Sequence, residues 1–240
     1  MDAREAAADQ DQSDWEDALH GDPSRIFAGD DTLRVAQAAD GGDTELLRRL
    51  VAGGSRLDVY GQNNLTLLQW AIIRNNIGSV NALLDAGANP SQRGLGERTA
   101  VSIAAENDDP AIVRTLLDHH ADPDATDADG TTPLVAALIN GNPEPCDLLL
   151  KAGANVNAVD SVGNSILIHA VLVRKFTRVV QLLQLGADPR ATNPRHQTFQ
   201  TYLPDSGEVS RMTEDGKHDL DQIDLWLRDH NVPIETDRRG

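Results

Sequence analysis

Residues 129–157 read DGTTPLVAALINGNPEPCDLLLKAGANVN, and the local pattern of this stretch decides how the chain folds. Thr132 precedes a short run whose Leu and Ala residues share one helical face, the position of an N-capping residue. Asn140-Gly141-Asn142 interrupts the run. A second apolar-periodic segment follows, with Cys146 three residues before the pair Leu149-Leu150. Gly153 then stands where a helix ends in the left-handed conformation. Pro143 and Pro145 fall in the first turn of the second segment, where no intrahelical N–H partner is lost. The stretch predicts two short helices followed by an extended connection with a turn.

The same pattern recurs in register along the chain. Phrases opening at Thr66, Thr99 and Thr132 are spaced by 33 residues, Ser165 and Thr198 continue the series, and Leu33–Ala38 falls in step before it. Leu50-Val51, Leu83-Leu84, Leu116-Leu117, Leu149-Leu150 and Leu182-Leu183 keep the same period, as do Gly54, Gly87, Gly153 and Gly186. Three markers in phase over five units identify a repeat architecture, in which each unit buries its apolar face only against its neighbours.

These residues resemble the ankyrin-repeat pattern: G-x-TPLHxAA, a turn, then V-x-x-LL-x-x-GADxN. The resemblance covers residues 31 to about 235. It implies an all-α solenoid of about six helix-turn-helix units joined by short β-hairpin loops, near 30–59, 60–92, 93–125, 126–158, 159–191 and 192–235. The histidine of the pattern is absent; Ala36, Gln69, Ser102, Val135, Ile168 and Thr201 stand in its place. Its loss predicts looser coupling between repeats. In the sixth unit, aligning His230 with Gly153 leaves extra length over 204–219, read as a loop insertion; loops of this length are commonly functional or disordered.

Composition narrows the function classes. Aromatic residues make up 3% of the 240, so the core must be built from Leu, Ile, Val and Ala. A formal charge of −17 disfavours nucleic acid and anionic membrane surfaces, which need a basic footprint. Cys146 is the single cysteine and excludes an intramolecular disulfide or a Cys-based zinc cluster. No apolar run approaches the roughly 18 residues of a membrane span, and the acidic start MDAREAAADQDQSDWEDALH lacks the apolar core of a secretory signal. The expected compartment is the cytoplasm, or the periplasm if an upstream signal is removed.

Several stretches imitate chemical sites. LLDHHADPDATDADGTTPL (116–134) sets His119 and His120 beside five aspartates. In register, however, His120 takes the helix-ending glycine position. A calcium loop built on DADG would place Ala125 and Ala136 where carboxylates are required. Adjacent helical histidines point about 100° apart and suit no zinc site. The stretch reads as a joint between repeats. Cys146 replaces a buried valine and reads as core, GLGERT (94–99) as a hairpin tip, and His169 as a packing or surface residue. Ser206, Ser210 and His218 lack a base and orienter at useful spacing. No catalytic, cofactor or metal residue is assigned.

Residues 1–29 form an acidic segment, expected to be partly disordered, with 15–29 docking through Trp15, Leu19, Ile26 and Phe27 as a cap on the first repeat. The resemblance further implies that hairpin tips and first helices line a concave, partner-binding face. Carried over by register, the partner-binding candidates are Trp70, Ile73, Arg74, Arg98, Ile139, Asn140, Leu172, Val173, Arg174 and Lys175. The aliphatic members would form an apolar stripe, and the basic ones would select acidic groups of the partner. The expected function is a monomeric, non-enzymatic scaffold that captures a protein, such as an effector, toxin or enzyme, in an immunity, inhibitory or accessory role of bacterial type. The rival readings are an enzyme with its site in 204–219 and a structural homo-oligomer.

Overall fold

A computed structural model describes residues 21–107 and 109–235. The chain divides into two compact units, Met1–Ala128 and Asp129–Gly240. In the first, helices pair as α1 (Asp30–Asp40) with α2 (Thr44–Ala52), α3 (Leu67–Ile73) with α4 (Ile77–Asp85), and α5 (Ala100–Ala104) with α6 (Pro110–Asp118). In the second, α7 (Pro133–Asn140) pairs with α8 (Pro143–Lys151) and α9 (Ile166–Leu172) with α10 (Phe176–Gln184). A 3-10 turn (Phe199–Tyr202), the single helical turn α11 (Ser206–Val209) and the long α12 (Glu214–Asp229) follow. The fold is all-α: among the described residues the β-structure consists of isolated antiparallel bridges, Tyr60 with Thr66 and Val159 with Ser165.

The 33-residue markers become physical contacts. Val80, Val113, Cys146 and Val179, together with Leu83, Leu116, Leu149 and Leu182, are all buried; each fully buried leucine contributes about 1.5–3 kcal/mol. Thr66 caps α3 in a reciprocal capping box with Gln69, and Thr132 caps α7 through the N–H of Val135. Second helices end in one recurring motif. The N–H of Gly153 donates to the carbonyl of Leu150, and that of Ala154 to Leu149, with Gly153 at φ 87°. His120 makes the corresponding bonds at φ 61° and is exposed, the left-handed position its register assigns.

Two expectations are corrected. The stretch 204–219 is not a loop insertion: Ser206–Val209 is helical, and Glu214 already lies in α12, capped by Thr213. Its helical character follows from the Asp205 and Thr213 caps and from Leu220, Ile223 and Leu227, which α12 buries. Asn231 (φ 54°), not His230, takes the left-handed position after α12. Where the histidine is missing, two of the residues that replace it still bond to the next hairpin. Buried Gln69 donates to the Arg98 carbonyl (2.7 Å) and accepts from the Leu95 N–H (2.9 Å), and the Ser102 hydroxyl donates to the Ala125 carbonyl (3.1 Å).

The described part of the N-terminal segment packs against the second repeat, not only the first. Ile26 and Phe27 are buried, the Gln62 N–H donates to the Ile26 carbonyl, and Phe27 meets Trp70 edge-on at 5.7 Å. Trp15 and Leu19 lie outside the described residues.

Candidate functional site

The first unit uses its share of the candidate residues internally. Trp70 has 0% exposure and is core, a correction to its assignment as a contact residue. Its indole fills the space between α3 and the docked N-terminal segment, with Phe27 against its edge and the Arg74 guanidinium 4.6 Å over its ring. Arg74 is committed as well: it donates to the Gly21 carbonyl (2.6 Å) and pairs with Asp40 at 3.2 Å. Arg98 pairs with Glu106. Ile73 is half-buried.

The second unit leaves its candidates open. Ile139 and Leu172 occupy equivalent register positions on α7 and α9, which pack against each other, and are 46% and 54% exposed. Asn140 is exposed, its amide donating to the Ala136 carbonyl, and Val173 is half-buried. Arg174 holds the left-handed elbow between α9 and α10 at φ 57°, where Gly141 stands one repeat earlier, and reaches Glu208 at 3.0 Å. Lys175 is exposed and forms no ion pair among the described residues. With Gly141, Cys146, Phe176 and Arg178 it lines a cleft of about 330 Å³. Arg178 is held there by Asp147 and the Pro143 carbonyl. Burial alone would raise the Asp147 carboxyl, but the Arg178 hydrogen bond and charge leave it below its usual value.

A second groove, of about 290 Å³, lies beside Leu172 and includes residues that were not among the candidates: Val162, Asn164, Asn193, Pro194, Arg195 and Tyr202. Val162 is 62% exposed. The register could have found it, because Val162 and Arg195 stand 33 residues apart on successive hairpin tips.

The imitations of chemical sites resolve as structure. Burial pushes the Cys146 thiol up to about 11, so little thiolate is present near neutral pH. His169 Nε2 sits 3.0 Å from Asp160 Oδ2, which also accepts from the Asn164 amide, so the histidine braces a hairpin tip. The Ser210 hydroxyl donates to the Gly207 carbonyl. Among the described residues no three His, Cys, Asp or Glu side chains gather as a metal-ligand set, and no helix is long and apolar enough to cross a membrane.

Comparisons with known proteins agree with this architecture. The family pattern "Ankyrin repeats (3 copies)" matches residues 35–127 and 101–193, together more than half of the chain. Protein PhlB of Serratia liquefaciens is 41% identical over 83 residues, a match spanning 35% of this chain and 36% of that protein. The ankyrin repeat domain of Bcl-3, described as a unique member of the IkappaB protein family, superposes with a TM-score of 0.66 at 30% identity, covering 81% of this chain and 85% of that one. EF0377, an ankyrin repeat protein, superposes with a TM-score of 0.60 at 23% identity over 70% of this chain and 89% of its own.

Proposed function

Because the chain belongs to the ankyrin-repeat family, whose arrays generally serve as protein–protein interaction modules, we propose that it is a non-enzymatic scaffold that captures a partner protein on the first-helix face of its second unit. One observation carries this reading: Ile139 and Leu172, large aliphatic residues at matching positions of neighbouring helices, are both about half exposed. Exposed aliphatic side chains on adjoining helices are the kind of apolar surface that binding sites use. The groups that could act chemically are otherwise engaged, with the Cys146 thiol buried and His169 bracing a hairpin. Capture that shields the partner's own working surface, as an inhibitory or immunity protein would do, is the mode of action this favours over turnover.

The test is affinity capture from the native host with wild type and with Ile139→Asp/Leu172→Asp. A protein retained by wild type and lost by the double variant, with unchanged circular dichroism, supports the reading. Retention by both sinks it. Light scattering on the same pair distinguishes a homo-oligomer, in which the variant would drop to a lower mass.

A further inference from the structure

Resting on the reading of the second unit as a partner-binding surface, we propose that the groove between the fifth and sixth hairpin tips takes an extended segment of the partner carrying an aliphatic side chain close to an isolated carboxylate. Val162, Leu172, Pro194 and Tyr202 supply apolar walls, and Arg195 stands at the same groove. Arg195 is exposed, and its guanidinium forms no ion pair among the described residues. In a chain with 38 acidic and 21 basic side chains, an exposed arginine outside the ion pairs of the described residues is a charge available to a ligand. Its planar fork matches a carboxylate through two parallel hydrogen bonds. The excess negative charge of the chain limits the ligand to one well-placed acid, since a run of acids would be repelled.

The groove is already built before any ligand arrives. Asp160 accepts the Val162 N–H (3.0 Å) and the Asn164 N–H (2.7 Å), fixing the fifth tip. Gly163 sits at φ 79° with Pro194 so close that a Cβ would lie 2.6 Å from the ring, so the two tips are pressed together. Buried Asn193 ties the sixth tip to the wall: its Oδ1 accepts the Arg195 N–H (3.0 Å) and its amide donates to the Tyr202 hydroxyl (3.1 Å). The Tyr202 hydroxyl in turn donates a hydrogen bond to the Gln197 side-chain carbonyl at 2.7 Å. The polar groups of the floor are therefore spent on each other. Discrimination is left to the apolar walls and to Arg195, and a preorganised groove loses little entropy on binding.

The experiment probes the full 240-residue chain with an array of immobilised heptapeptides that vary one aliphatic and one charged position. Wild type should favour peptides with Leu, Ile or Val within two residues of Asp or Glu, and the preference should weaken with salt. Arg195→Glu should reduce binding to these peptides about tenfold or more and shift preference to Lys and Arg. Leu172→Asp should abolish both profiles. Both side chains are exposed, so folding is checked by circular dichroism and expected unchanged. An array profile that ignores Arg195→Glu, or a wild type with no acidic preference, overturns the groove assignment. If it falls while host capture still depends on Ile139 and Leu172, the broader reading stands without it; if capture also survives Ile139→Asp/Leu172→Asp, both fail. Self-association lost with Arg195→Glu would make the occupant a second copy and overturn the partner segment.

Discussion

In the first unit, the position that carries Trp70 is sealed; one repeat period apart in the second unit, Ala136 and His169 hold the same register place. Arg74 in the first unit reaches Asp40, the Gly21 carbonyl and the Trp70 ring. Its register equivalents in the second unit, Asn140 and Val173, make no such clamp, and the neighbouring Ile139 and Leu172 stay half exposed. The difference has a local cause. The segment around Ile26 and Phe27 covers the first unit's second repeat, and a large aromatic with an arginine lid is what that cover requires. Register thus fixes where a residue sits on its helix; whether it meets solvent depends on what lies over it.

Five variants sharpen or break this contrast. Trp70→Ala should cost about 3–5 kcal/mol in urea denaturation, the usual loss for a buried large aromatic; a change within about 0.5 kcal/mol, as for a surface site, would return Trp70 to the list of contact residues. Gln69→Ala should cost about 2–3 kcal/mol, because the Leu95 N–H and the Arg98 carbonyl lose a buried partner. In the second unit buried Val135 and Ile168 hold the same register position and make no such bonds. Buried Gln200, one position off that register, bonds the Pro233 carbonyl and the Glu235 N–H.

The third variant, His120→Gly, should stabilise the protein by about 1 kcal/mol, seen as a higher Tm, by relieving a left-handed β-carbon. Gly153→Ala, at the equivalent place in the second unit, should lower Tm by a similar amount. A melt that moves the other way for His120→Gly would assign the imidazole a stabilising contact. The smallest effect on folding belongs to Ile139→Asp/Leu172→Asp, within about 0.5 kcal/mol of wild type in the same titration. A larger loss would show these residues to be core in solution and remove the basis of the proposed binding face.

Much of the architecture was legible in the sequence because it depends on local rules repeated in phase. Thr66 and Thr132 were readable as caps, and His120 as a left-handed residue, from position alone. The sixth repeat was misread because its first helix shrinks to the turn Phe199–Tyr202 while α12 lengthens, so spacing markers ceased to report element boundaries. The role of Gln69 was not legible for a different reason. The absence of a histidine was visible, but that a glutamine could span to the next hairpin depends on Gly94, where a Cβ would collide with its side-chain amide.

The sequence by itself determined the repeat period, the helix pairs, their caps and their buried leucine rows, since each follows from backbone preference and apolar periodicity within a few residues. Only the tertiary structure decided which register positions are covered and which face solvent. It buried Trp70, left Leu172 open, and brought Val162, Tyr202 and the exposed Arg195 around one groove. Exposure and pairing are set by contacts between residues far apart in the chain, and no local pattern encodes them.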